Sequence, residues 1–200
     1  MIIDPAAVSP AVSYRLMTGV IVPRPIALVS TVSPDGVRNL APFSFFNGVC
    51  GEPPVVCFAP SYREPPKDTL ANIRATGEFV ICTVTESIAE QMNLTSGAYL
   101  LDVDEFVMAG LTPVPGDLVG PARVLESPVN LECRLLQIVE VSTKPMGASL
   151  VLGEIVRFHI EDRVIEELRI DQDELRAVGR MGGFEYTRTR DRFRMVRPTV

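Results

Sequence analysis

The chain has 200 residues, 46% of them hydrophobic, with a formal charge of −6 and an isoelectric point near 4.9. That apolar share suits a packed core and excludes a disordered chain, and the acidic balance offers no basic footprint for nucleic acid. No apolar stretch is long enough to span a bilayer and the start, MIIDPAAVSP, lacks a basic n-region and a secretory h-region, so a soluble cytoplasmic protein of one domain, residues 1–200, is expected.

A Pro-Arg-Pro entry, Pro23 to Pro25, leads into the run Ile26 to Ser33, where bulky apolar and small residues mix and β-branched types are frequent. Pro34-Asp35-Gly36 supplies a turn, since proline presets φ and glycine tolerates positive φ. A second extended run, Val37 to Asn47, completes a predicted β-hairpin. Its composition is odd for a core strand. Pro42 lacks a ladder donor, and Asn39, Ser44 and Asn47 set polar groups among Phe43, Phe45 and Phe46, which suggests groups left free for a ligand. Strict alternation puts Phe43 and Phe45 on one face, and Ser44 and Phe46 on the opposite, ligand-facing one.

Further on, Pro53 to Ala59 reads as a short apolar strand and Ser61 to Pro66 as a loop. A helix is predicted to start at Lys67 to Thr69, bury Leu70 and Ile73, and stop at Gly77. Glu78 to Thr85 reads as a strand buried on both sides, and Glu86 to Leu94 as a second short helix before the loop Thr95 to Leu101. Asp104 to Ala109 gives one or two helical turns ended by Gly110. The proline-rich connection Leu111 to Pro121 leads to two long strands, Val129 to Val141 and Leu150 to Ile160. A short helix near Asp171 to Val178 precedes the tail from Gly179 to Val200. Cys50, Cys57, Cys82 and Cys133 form no C-x-x-C pair and read as buried free thiols.

Strands dominate, strand–helix–strand alternation is missing, and so is the fingerprint G-x-G-x-x-G; a doubly wound dinucleotide fold is excluded on pattern. A mainly β fold, an antiparallel barrel with short peripheral helices, fits better.

Four segments in order sharpen this: PRPIALVST (Pro23 to Thr31), NLAPFSFFN (Asn39 to Asn47), KDTLANI (Lys67 to Ile73) and GRMGG…Y (Gly179 to Gly183, then Tyr186). The chain so resembles the flavin reductase-like family, whose members include flavoredoxins and the reductase components of two-component monooxygenases. The resemblance implies a Greek-key split β-barrel, FMN as cofactor (FAD being the alternative), NAD(P)H as donor, and a homodimer with flavin near its interface.

FMN poses two recognition problems, a dianionic phosphate and a flat ring with polar edges. Lys67 and Thr69 at a helix start offer charge and free amides for the phosphate, although Asp68 works against this as a competing cap. In the family the phosphate site draws a lysine from this motif. Arg24, fixed beside Pro25, is the second cation, a solvated turn arginine being the bland alternative. Small residues Ala27, Ser30, Thr31 and Ala41 permit close approach of a ring to the main chain. Ser44 and Asn47 add a hydroxyl and an amide, and Asn39, Pro42, Phe46 and Tyr186 complete the set by their motif positions. His159, the sole histidine, shares a strand face with Arg157. It is either an exposed strand residue or, as the resemblance implies, a residue orienting nicotinamide. No metal ligand set is read. Arginines of the tail, Arg188, Arg190 and Arg192, belong either to a solvated segment or to a contact with a second subunit or a phosphate.

The expected function is hydride transfer from NAD(P)H to flavin, with reducing equivalents passed to a monooxygenase or another acceptor. The alternative is an FMN electron carrier like flavoredoxin, served by a protein partner.

Overall fold

The computed structural model describes residues 1–100 and 102–199; Leu101, at the end of the predicted loop, and Val200, the last residue of the tail, lie outside them. The first helix, α1 (Pro10–Val20), was not expected. Ser9 caps it, its hydroxyl accepting from the amide of Val12, and Pro10 occupies the first turn, where a missing N–H costs nothing. Thr18 is its one buried residue.

The hairpin forms as β1 (Ala27–Val32) and β2 (Arg38–Phe43), joined through Gly36 at φ 86°. The second arm does not continue to Asn47. It bends at Ser44–Phe45 and restarts as β3 (Phe46–Gly51), which pairs with β4 (Pro54–Phe58). Next come α2 (Asp68–Thr76), closed by Gly77 in the left-handed region, and β5 (Glu78–Thr83). A 3₁₀ turn leads to α3 (Ala89–Leu94), then α4 (Glu105–Ala109), capped by the Asp104 side chain and ended by Gly110 at φ 65°. A short pair, β6 (Pro113–Val114) and β7 (Arg123–Val124), precedes the long strands β8 (Val129–Glu140) and β9 (Ser149–Ile160). The chain finishes with β10 (Ile165–Glu166), β11 (Arg169–Ile170), the four-residue α5 (Gln172–Leu175), β12 (Val178–Arg180) and β13 (Tyr186–Arg188).

Seven strands form one sheet in the order β2-β1-β5-β8-β9-β4-β3, antiparallel throughout. Its two edge strands, β2 and β3, are consecutive in the chain with only Ser44 and Phe45 between them. Laid flat, seven strands at about 4.8 Å spacing would separate those edges by roughly 29 Å. From Phe43 to Phe46 the chain reaches at most about 11 Å. The sheet therefore curls until its edges meet, which makes it a split barrel with a seam between β2 and β3.

Both faces of β1 and β5 are covered, which explains the consecutive apolar residues Ala27 to Val29 and Phe79 to Cys82. Ala27, Val29, Phe43, Phe58, Phe79 and Ile81 form one core with Leu70 and Ile73 of α2, while Leu28, Leu40, Val80 and Cys82 form another with Met92 of α3 and Phe106 of α4. Phe58 links two neighbours, its ring centroid 5.0 Å from that of Phe43 and 5.5 Å from that of Phe79. Gly153 on β9 makes room for this stack, since a Cβ there would run into the Phe79 ring. The bend after Phe43 resets the alternation. Phe46 packs against the same core as Phe43, and Phe45 turns instead toward Tyr14 and Arg24. Phe46 is thus half-buried against the core side, not on the face opposite Phe43 that strict alternation gives it. Cys82 and Cys133 are buried, as expected, whereas Cys50 on the edge strand is exposed. Burial pushes the Cys82 thiol up to about 12, and that of Cys133 up as well.

Candidate functional site

Edge strand β2 carries its polar residues on the side where α2 begins and α4 packs. The Leu40 amide donates not to β1 but to Oε2 of Glu105, at 3.0 Å, so it points out of the ladder. Two residues on, Pro42 shares that orientation. Its missing donor costs no bond to β1, contrary to the expectation from sequence. Asn39 is fixed on both sides of its amide. Oδ1 accepts from Thr69 Oγ1 at 2.8 Å and from Thr31 Oγ1 at 3.3 Å, while Nδ2 donates to Oε1 of Glu105 at 3.0 Å. Asn72 of α2 closes the network by donating to Thr31 Oγ1. Glu105 is 5% exposed, and burial raises its pKa against the opposing pull of these donors.

Asn39, Ala41, Pro42, Lys67 and Thr69 all line one cavity of about 180 Å³. Its other walls are Asp68, which the sequence offered only as a competing cap, and Arg63, Glu105 and the segment Thr95 to Tyr99. Lys67 is the N-cap residue of α2 and makes no side-chain cap, so the first-turn amides keep their free donors. Its ammonium lies 5.6 Å from the centroid of the Phe43 ring and forms no ion pair among the described residues. Burial lowers its pKa, and Arg63 adds to the effect. Asp68 turns toward Arg63 at 3.8 Å, and its buried Oδ1 accepts no hydrogen bond. A cation with no ion pair among the described residues, beside free first-turn amides in one small cavity, fits a ligand that brings an anionic group, as FMN does with its phosphate.

Other residues selected from the sequence lie elsewhere. Arg24 is 5% exposed and ties the chain ends together. Its Nη1 donates to the carbonyls of Thr18 and Ile21, Nη2 to that of Met181, and Nε to Ser44 Oγ. Four of its five N–H groups are thereby engaged, which leaves little for a phosphate, and Ser44 is held in the same knot. Ala27 and Ser30 are fully buried in a strand paired on both sides, so their backbone groups are used by the ladders, while Thr31, paired with β2 alone, acts through its hydroxyl in the Asn39 network. Pro25 borders the Arg24 knot, and Asn47 is exposed on β3, its side chain accepting from the amide of Gly48. Tyr186 lies under the Arg180 guanidinium, 4.4 Å from centroid to Cζ, beside a separate cavity of about 520 Å³. That cavity and a neighbour of about 440 Å³ exceed the Lys67 cavity in size. They flank the tail, whose Arg188 and Arg190 both pair with Glu86 and, led by the Arg190 hydrogen bond, hold its carboxyl low. Arg192 pairs with Asp173. Arg188 and Arg190 there are already matched by Glu86, and the smaller cavity, with Lys67 at a helix start, is the better candidate.

His159 faces Arg157's neighbour Asp117 and the fully buried Glu132, and it does not line the Lys67 cavity. Oε1 of Glu132 accepts from the Asp117 amide at 2.6 Å and from His159 Nε2 at 2.5 Å, and Oε2 accepts from the Leu118 amide at 2.7 Å. Burial alone would raise the Glu132 pKa; the two amides and the imidazole outweigh it, and the net shift is downward. The carboxylate is therefore ionised and His159 is the donor. This clasp fastens the connection between β6 and β7 to the barrel wall.

The fold class is a split barrel with a small polar cavity at the edge of β2. The profile of the "Flavin reductase like domain" matches residues 18–179, and the chain belongs to that family. An uncharacterised protein of Aquifex aeolicus is 40% identical over 178 residues, 88% of this chain and 89% of its own. Among solved structures, nitrilotriacetate monooxygenase component B from Bacillus cereus superposes with a TM-score of 0.94 at 30% identity, covering 98% of each chain. The 2-nitrobenzoate 2-nitroreductase NbaA of Pseudomonas fluorescens gives 0.91 at 35% identity, over 100% of this chain and 97% of that one. The family and these neighbours support an oxidoreductase that uses a flavin. No helix among the described residues is long and apolar enough to cross a membrane.

Proposed function

We propose that this protein is an NAD(P)H-dependent flavin reductase that holds FMN at the Lys67 cavity and hands reducing equivalents to a monooxygenase component or another cytoplasmic acceptor. The observation that carries the reading is Lys67, a half-buried cation without an anion at the uncapped start of α2. Flavin, when bound, supplies hydride acceptance from a nicotinamide. The chain's own residues bind and orient. Lys67 and the first-turn amides of α2 neutralise a phosphate. Asn39, locked by Thr69 and Glu105, keeps its remaining amide hydrogen at a fixed angle, and Ala41 and Pro42 form a floor without long side chains. The likeness to a monooxygenase component supports a partner of that kind.

The functional unit is a homodimer of single-domain chains. A cavity of about 180 Å³ falls short of the roughly 300 Å³ at the small end of ligand pockets, so a second surface must cover the rest of the ligand. The outer face of α1 and the residue after it, with Leu16, Met17, Val20 and Ile21 exposed, offers apolar area for such a contact.

Lys67→Ala tests the site. FMN affinity should fall about 10- to 100-fold, the equivalent of roughly 1.5–3 kcal/mol for a charge-assisted contact, with riboflavin affinity unchanged. Equal losses for both flavins would show that Lys67 does not meet the phosphate. Anaerobic mixing with NADH and NADPH tests the reaction: rapid bleaching of bound flavin supports the reductase, and colour that yields only to a protein donor supports an electron carrier.

A further inference from the structure

If the Lys67 cavity takes the phosphate and ribityl end of FMN, the tricyclic ring has to lie at the mouth, against a flat apolar surface. One wall of the cavity is Thr95 to Tyr99, a segment folded back on the end of α3. Thr95 Oγ1 donates to the carbonyl of Met92 at 2.8 Å, Ser96 Oγ to that of Asn93 at 2.6 Å, and Tyr99 Oη to that of Leu94 at 2.9 Å. Gly97 packs against the hydroxyl end of the Tyr99 ring, where a Cβ would stand 2.8 Å from Cε2 and 2.9 Å from Cζ. The ring is thus held at its hydroxyl and bordered there by a residue with no side chain. Among the described residues, Tyr99 is the one aromatic side chain lining this cavity.

We propose that Tyr99 is the platform on which the isoalloxazine ring of the bound flavin stacks, and that Gly97 is glycine so that the platform can lie in place. The inference rests on the flavin reading of the Lys67 cavity and adds a residue to it. Offset stacking of an aromatic pair is favourable beyond the area it buries, which sets the scale of the effect at several-fold in affinity. It also has an optical signature. A tyrosine in contact with an excited flavin donates an electron that then returns, which quenches the emission. Phenylalanine is too poor a donor to do so.

The test is FMN titration followed by the emission of the bound flavin, in the full chain. Wild-type protein should bind FMN dimly. Tyr99→Phe keeps the ring and should bind within about threefold of wild type while the bound flavin brightens. Tyr99→Leu should bind about tenfold more weakly and also be bright. Gly97→Ala pushes the ring aside; as Gly97 is not at a positive φ, the backbone accepts alanine, and this variant should follow Tyr99→Leu. Tyr186→Phe, at the separate cavity, should stay dim. Wild-type brightness and affinity in Tyr99→Phe and Tyr99→Leu, with FMN binding still lost in Lys67→Ala, would overturn the platform and leave the flavin reading intact. Failure of the unsubstituted protein to bind any flavin would overturn both.

Discussion

Two buried glutamates, Glu105 and Glu132, sit in opposite situations. Glu132 takes two backbone amides and an imidazole, and its pKa is driven down. Glu105 takes one backbone amide and one side-chain amide, and burial wins, driving its pKa up. Around Glu132 every group has a partner. Around Glu105 the pocket keeps a lysine with no ion pair among the described residues and an aspartate oxygen that accepts no hydrogen bond, with only the Arg63 guanidinium at 3.8 Å. Completed polar networks hold structure together, whereas incomplete ones mark where a ligand completes them.

Glu132→Ala should produce the largest effect, and it should fall on stability. It strips the partners from two amides and a histidine, and about 3–5 kcal/mol of unfolding free energy should be lost in urea melts. FMN affinity of the folded fraction should stay within about twofold. A variant that kept its stability and lost flavin would move Glu132 into the ligand site and undo the contrast. Acid should act similarly: a carboxylate with a depressed folded pKa stabilises above its unfolded value, and that stability goes as pH falls through the folded pKa.

Glu105→Gln should do the reverse. Asn39 and Leu40 donate to different oxygens of Glu105, and glutamine replaces one of these by NH2, so with the oxygen kept on Leu40 Asn39 is freed to turn; the buried charge that opposed folding is gone at the same time. We expect a stability change below about 1 kcal/mol and an FMN affinity about tenfold lower, measured by calorimetry. Loss of stability without loss of affinity would make Glu105 a second Glu132.

Proton dependence sharpens the picture further. Only protonated Lys67 pairs with phosphate, and burial has lowered its pKa from 10.5. FMN affinity should therefore decline with rising pH earlier than it would for an exposed lysine, and riboflavin affinity should remain flat over the same range. Parallel curves for the two flavins would count against the phosphate contact. The smallest functional effect is expected for His159→Ala. With Nε2 committed to Glu132, its loss should lower stability modestly and leave anaerobic reduction by NADH or NADPH within about threefold. A rate reduced tenfold or more would restore the nicotinamide role that the resemblance implies.

Most of the barrel was legible because its boundaries carry local chemistry. Pro34-Asp35-Gly36, Gly77 and Gly110 stand where the structure has turns and left-handed helix ends. Helix α1 escaped notice because its apolar residues face outward, and Ser9-Pro10 was the one available cue. The break at Ser44–Phe45 escaped because nothing local distinguishes a bend from a strand. For the site, Lys67, Thr69, Asn39, Ala41 and Pro42 came from motif positions, and the structure brings them together. What sequence could not give was the pairing. Asn39 meets Glu105 66 residues away and His159 meets Glu132 at 27, distances at which a polar residue bears no mark of its partner. Arg24 looked available for the same reason, its carbonyl partners being main chain and so invisible in the sequence.

The outer edge of β2 has one more consequence. A barrel with a seam exposes strand edges, and a bare edge invites another chain to add a strand and begin aggregation. Here Glu105 occupies the outward amide at Leu40, and Pro42 has none to offer two residues later. An incoming strand would find no donors at these positions. The two features that make this edge hospitable to a small ligand also make it a poor template for self-association.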